Sequence, residues 1–145
     1  MIIRDPTQND EAAWRRLWSG YNAFYKASVP DQVTDRTWQR ILDLASPIFA
    51  RLAEDDGNVI GFSICVLHEG TWATSPVCYL EDLFVDPDRR GRGAGRLLIQ
   101  DVVDLARARR WSRLYWHTRA DNPARRLYDE LAKADDFVRY RLLLD

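Results

Sequence analysis

No apolar run in this chain approaches the ~20 residues that a membrane-spanning helix needs, so none is expected to cross a bilayer. The opening residues, MIIRDPTQND, lack the basic start, apolar middle and small-residue cleavage site of an export signal. Cysteine is scarce: Cys65 and Cys78 both fall in apolar, strand-like runs. Without an export signal, two buried free thiols are expected rather than a disulfide, and a cytoplasmic location follows by default. No grouping of His, Cys and Asp has metal-ligand spacing, so no metal is expected. Neither cysteine stands beside a paired base, which argues against a covalent acyl-enzyme route. Repeats and linkers are absent too.

What is present suits an ordinary folded chain. The composition is 46% hydrophobic and 30% charged, which excludes disorder, and 145 residues can bury a sizeable core as one domain, residues 1–145. The net charge of −1 hides an asymmetry. Residues 1–88 carry 14 Asp/Glu against 7 Lys/Arg, a balance of −7, whereas residues 89–145 carry 8 against 14, a balance of +6. A basic half suits a polyanionic ligand and an acidic half a cationic one, although both also read as solvated surface.

Hydrophobic spacing supplies the elements. MIIR opens a first strand. Ala13, Trp14, Leu17, Trp18, Tyr21, Phe24 and Tyr25 recur at intervals of three and four, the period of a helix, with Asn9 or Asp10 as N-cap. TDRTWQRILDLA predicts a second helix capped by Thr34 and ended by Pro47. PIFARLAE and VIGFSICVLH, separated by the turn residues DDGN, predict a hairpin. VCYLEDLFVDP reads as a further strand, Leu97 to about Arg110 as a helix, and SRLYWHT as a short strand. Pro123 fits the first turn of another helix, and FVRYRLLL reads as a closing strand. The class is α/β: a mixed sheet with helices on its faces.

Residues 89–96, RRGRGAGR, stand between a strand and a helix. Glycines there allow a tight turn and leave backbone N–H groups open, at the positive end of the helix that follows. The product is an anion site, best suited to phosphate, with arginines able to add charge-assisted hydrogen bonds. The alternative is a plain turn with a basic rim. The spacing lacks the third-glycine position of the dinucleotide fingerprint, and no lysine completes a P-loop. An Arg-Gly RNA segment would be longer and less embedded in regular elements, so nucleic acid is not the expected partner.

Arg90-Gly91-Arg92-Gly93-Ala94-Gly95 resembles the Arg/Gln-x-x-Gly-x-Gly/Ala loop of the GNAT N-acetyltransferases. LEDLFVDPDRRGRGAGRLL resembles the strand, loop and helix around that loop, and ADNPARRLYDELA resembles the family's second motif, Asn-x-x-Ala-x-x-Leu-Tyr. The strong resemblance covers residues 79–131. LWSGYNAFY, TDRTWQRILD, YLEDLFV and LYWHT are further similar to a subgroup that includes diamine, yeast histone/polyamine and D-amino-acid acetyltransferases. The resemblance implies a central, mostly antiparallel sheet splayed at its fourth strand. It also implies acetyl-CoA as co-substrate, direct transfer to the primary amine of a small acceptor, and a homodimer.

On that resemblance, Arg90, Gly91, Arg92, Gly93, Ala94, Gly95 and Arg96 hold the pyrophosphate, and backbone groups of Leu83, Phe84 and Val85 meet the pantetheine arm. Tyr128 falls at the tyrosine position, where a phenol donates to the departing sulfur; otherwise it is a packed helix aromatic. Glu81 is the candidate base, with Asp82, on the opposite side of a regular strand, or His117 as alternatives. The motif asparagine position holds Asp121, with Asn122 one residue later. An ionised aspartate accepts but cannot donate, so either Asp121 or Asn122 contacts the coenzyme. Tyr21, Phe24, Tyr25, Trp72 and His117 are possible acceptor linings, though most aromatics at helical spacing are core. A non-catalytic module that merely binds coenzyme A is the competing reading.

Overall fold

Two helices cover one face of a five-stranded sheet and two more cover the other. The computed structural model describes residues 1–144; Asp145, the last residue of the expected domain, lies outside the described residues. In chain order the elements are β1 (Ile2–Arg4), α1 (Glu11–Phe24), α2 (Asp31–Leu42), β2 (Ile48–Asp55), β3 (Asn58–His68), β4 (Val77–Val85), α3 (Ala94–Ala108), β5 (Arg113–Tyr115) and α4 (Arg125–Leu131). The strands lie in sequence order. All neighbours are antiparallel except β4 and β5, which run parallel. Among the described residues no helix is long and apolar enough to cross a membrane.

The helical spacing of α1 has the expected consequence. Trp14 and Leu17 are buried, and Trp14 stacks between Trp18 and Trp38 at centroid distances of 5.3 and 5.2 Å. This stack seats α1 and α2 on Leu52, Phe62, Ile64 and Phe84. On the other face, Ile99 and Val102 of α3 pack on Cys65, Cys78 and Leu80. Both thiols are free and fully buried, as expected. Burial pushes that of Cys65 up, behind the larger effect of its neighbour Cys78.

Three sequence expectations change. The second helix begins at Asp31, because Pro30 sits at its N-cap with extended backbone; Thr34 lies inside it and accepts a hydrogen bond from Trp18 Nε1 at 3.1 Å. Pro123 lies ahead of α4, which is N-capped by Ala124. FVRYRLLL forms no strand: residues 137–144 pair with nothing in the sheet, so β5 is left as its edge.

Candidate active site

β4 keeps its full length against β3 but meets β5 only at Val77, Cys78 and Tyr79. Beyond Tyr79 the two strands part, leaving one backbone edge of Leu80–Val85 without a strand partner, as the expected splay requires. The groups of Leu83, Phe84 and Val85 named from the sequence lie on this stretch.

The chain then turns through Pro87–Arg89, where the Asp86 side chain accepts a hydrogen bond from Asp88 N, and enters the glycine loop. Gly91 and Gly93 have φ of +82° and +85°, a left-handed backbone in which a Cβ is strained. Nothing lies within 4 Å of where either Cβ would stand. Gly95 differs: it is helical, and an added Cβ would make ordinary contact with Leu127 at 3.8 Å. Two of the three glycines thus answer to backbone conformation. Gly93 is the N-cap of α3, with no side-chain cap and no acid in the first turn, so the amides of Ala94, Gly95 and Arg96 start a 15-residue helix unscreened.

The arginines are not loose in this loop. Arg90 Nε donates to the Val85 carbonyl at 3.0 Å, and its guanidinium lies over the rings of Phe84 and Phe24 at 5.5 and 5.9 Å. Arg92 pairs with Asp55 at 3.6 Å, and Arg96 pairs with Glu130. An exposed groove of about 480 Å³ beside the loop is lined by Arg16, Gly20, Phe24, Phe84, Asp86 and Arg90.

Deeper on the same face, β4 carries a bulge. Asp82 pairs with Ile64 and Leu80 with Cys65, so Glu81 has no partner. The bulge suspends the strict alternation expected of Glu81 and Asp82. The charges of both carboxylates raise the phenols of Tyr21 and Tyr79, whose shifts come first from burial. Glu81 is exposed, whereas Asp82 is half-buried against Tyr21. Burial pushes the Asp82 carboxyl up to about 7; the Tyr21 hydroxyl favours its charged form and the Glu81 charge disfavours it.

Tyr21 leads to the third element. Its ring meets Tyr25 at 4.9 Å, and Tyr25 in turn lies close enough to Tyr128 to raise its phenol, after the larger effect of burial. Tyr128 is half-buried on α4 with its ring edge-on to Trp116 at 5.7 Å. Residues far apart in sequence, on elements from both sides of the sheet, thereby lie in one chain of neighbours: Tyr21 of α1, Tyr25 at its C-cap, Glu81 and Asp82 of β4, and Tyr128 of α4.

The remaining sequence candidates are spread around this cluster. Asn122 ties down the loop before α4: its Nδ2 donates to Thr118 Oγ1 and its Oδ1 accepts from Ala124 N, both at 2.9 Å. Asp121 is exposed. His117 Nδ1 stands 3.3 Å from the Tyr79 hydroxyl. Trp72 is 88% exposed in the β3–β4 loop, and Phe24 lines the groove beside Arg90. Sequence reasoning missed the Asp82–Tyr21 contact and a His68–Tyr115 pair, with 2.9 Å between Nε2 and the hydroxyl. The adjacency of Glu81 and Asp82 was the one available signal for the first; the second had none.

A family model described as the acetyltransferase (GNAT) family matches residues 14–132. The chain belongs to that family. It is an N-acetyltransferase, in a family whose members take acetyl from acetyl-CoA. A D-amino-acid N-acetyltransferase, HPA3 of Saccharomyces cerevisiae, is 32% identical over 97% of this chain and 89% of its own length. Aminoglycoside N(6')-acetyltransferase type 1 of Stenotrophomonas maltophilia is 33% identical over 69% of this chain and 63% of its own length. Among solved structures, the ribosomal-protein-alanine N-acetyltransferase of Brucella melitensis biovar Abortus 2308 superposes with a TM-score of 0.79 at 26% identity, covering 99% of this chain and all of its own.

Proposed function

We propose that this acetyltransferase transfers acetyl directly from acetyl-CoA to the primary amine of a small cationic acceptor, with Asp82 as the base and Tyr128 as the acid. The observation that carries the reading is the Asp82 carboxyl, desolvated to about 7 against Tyr21, with Tyr25 and then Tyr128 next in the same chain of neighbours.

The loop fits the coenzyme. Left-handed Gly91 and Gly93 hold an uncapped helix start open, with free space where side chains would stand. Amides from Ala94 to Arg96 would hold the pyrophosphate, and the free β4 edge at Leu83–Val85 would take the pantetheine arm through backbone hydrogen bonds. Arg90, Arg92 and Arg96, each engaged by the protein, brace the loop and add positive field. Bound acetyl-CoA supplies an acetyl group activated as a thioester.

The chain's own groups do the rest. Glu81 and Asp82 attract the acceptor as its ammonium ion. Asp82, with a value near neutrality, takes the ammonium proton and frees the nitrogen lone pair. As the N–C bond forms and the C–S bond breaks, a β4 backbone N–H stabilises the charge on the carbonyl oxygen. Tyr128, kept protonated by burial, donates its hydroxyl proton to the leaving sulfur, and the second proton shed by the acylated nitrogen restores the phenol. Asn122 positions α4, and hence Tyr128, through its bonds to Thr118 and Ala124.

The acidic N-terminal half favours a cationic acceptor, and the D-amino-acid and aminoglycoside enzymes among the relatives act on amines. A single cytoplasmic domain acting as a homodimer completes the reading. The test is free-thiol release and product mass with acetyl-CoA and a panel of a diamine, a polyamine, a D-amino acid, a lysine peptide and an aminoglycoside. Acetylation of at least one amine is expected. Tight acetyl-CoA binding with no turnover across the panel would instead favour the non-catalytic coenzyme module, for which Asp121 at the motif asparagine position is the one supporting feature.

A further inference from the structure

The corner where α3 gives way to β5 is strongly basic. Residues 107–113, RARRWSR, hold four arginines and no acid. Arg107, Arg109, Arg110 and Arg113 are all exposed, and none of them joins an ion pair among the described residues. Arg92 and Arg96, around the start of the same helix, are both paired. The nearest acid before the run, Asp104, accepts from Gln100 Nε2 at 2.9 Å. A cation in the last turn suits the negative end of a helix, and Arg107 alone meets that need. At ~1.5 Å per residue, the 15-residue helix keeps this corner about 20 Å from the glycine loop.

The backbone singles out Arg110. Past the end of α3, Arg110 N donates to the Arg107 carbonyl at 3.2 Å and Trp111 N to the Ala106 carbonyl at 2.9 Å. This pair of bonds closes a helix through one left-handed residue, and Arg110 supplies it with φ +58°. Glycine takes that conformation without strain, as Gly91 and Gly93 do in the coenzyme loop. An arginine at this position works against local folding, so its guanidinium is the group that needs a reason.

Arg110 borders a groove of about 370 Å³. Val103, Ala106, Trp111 and Leu114 give the groove an apolar floor, and Arg107 and Arg113 also border it. Trp111 is fixed in place, with the Phe49 ring at 5.7 Å and the Arg109 guanidinium over it at 5.9 Å. Arg113 turns its guanidinium over Tyr115 at 5.4 Å, which leaves Arg107 and Arg110 as the charges of the groove. An apolar floor beside two guanidiniums matches one large apolar side chain flanked by carboxylates. A nucleic acid would instead need a basic track with open aromatic faces for its bases. We propose that this groove docks an acidic peptide segment of a partner protein, with one apolar residue on the floor and carboxylates on Arg107 and Arg110. The partner is held at the end of α3 away from the coenzyme loop, so docking and acetyl transfer can proceed together.

The probe is a fluorescein-labelled peptide of Asp and Glu with one central Leu, titrated with the full chain at low salt and read by fluorescence anisotropy. Saturable binding is expected. It should weaken about tenfold in Arg107→Glu/Arg110→Glu, and about fivefold when Ser replaces the peptide's Leu. Arg110→Gly gives the sharper readout, because glycine relieves the left-handed backbone while removing the guanidinium. Its melting temperature should equal or exceed that of wild type while peptide binding falls about fivefold. Acetyl-CoA affinity should match wild type in both variants, and its loss would overturn the separation of the two sites. The proposal fails if wild type shows no saturable binding, if Arg110→Gly binds at full strength, or if the Leu and Ser peptides bind equally. Tighter binding of a single-stranded RNA of matched charge would overturn it as well.

Discussion

In the loop ahead of α3 the working groups belong to the backbone, whereas across α1, β4 and α4 they belong to side chains. The loop spans a few consecutive residues, and its shape follows from two left-handed glycines and a helix start without a cap. The side-chain site needs five aromatic and acidic residues from α1 and its C-cap, β4 and α4 to meet, and its key property, a carboxyl near neutrality, comes from burial rather than from residue type. Binding and chemistry should therefore be separable by mutation.

The largest separation is expected at Tyr128. Tyr128→Phe keeps the ring against Trp116 and removes only the proton donor, so kcat should fall on the order of 10³-fold while acetyl-CoA affinity stays within about twofold. A loss under tenfold would place the acid elsewhere.

Asp82→Asn comes next, with a loss of about 10² in kcat/KM above pH 7. Wild-type kcat/KM should rise with pH through about 7 and then level, because the carboxylate is the active form, and the variant should lose that limb. Stability carries the opposite sign. The folded carboxyl holds its proton more tightly than the unfolded one, so its contribution falls as pH rises from the ordinary carboxylate range to about 7. Denaturant unfolding at pH 5 and pH 8 should show Asp82→Asn gaining on wild type at the higher pH.

The loop can be probed without touching that face. Gly93→Ala, at φ +85°, should cost about 1–2 kcal/mol of stability and weaken acetyl-CoA binding about tenfold. Gly95→Ala should do neither, since its backbone is helical and its new methyl only touches Leu127. Calorimetry and thermal melts on the pair would show whether conformation or glycine count matters. The smallest effect is Glu81→Gln: a few-fold rise in KM for a cationic acceptor, and a downward shift of the pH inflection as the charge that raises Asp82 disappears.

Legibility in the sequence followed the same division. The glycine loop could be read because its geometry is encoded by consecutive residues, and the β2–β3 hairpin because Asp56 and Gly57 both take positive φ at the turn. The α1 stripe was readable from its period. The start of α2 was misplaced because a proline N-cap outweighed a nearby threonine. The bulge at Glu81 cannot be seen in one strand alone, since it is a mismatch of register between β3 and β4. Nor could the Asp82–Tyr21 contact, which depends on how far α1 sinks onto the sheet. The C-terminal run has every mark of a strand, yet strand formation needs a partner edge, and a local pattern cannot supply one.

The most direct measurement is a calorimetric titration of acetyl-CoA into wild type, Gly93→Ala and Asp82→Asn, with turnover assayed on the same samples. Expected are saturable one-to-one binding in wild type, weakened binding in Gly93→Ala, and wild-type binding with lost turnover in Asp82→Asn. Absence of wild-type binding, or loss of binding rather than turnover in Asp82→Asn, would contradict the division between a backbone cradle and a side-chain site.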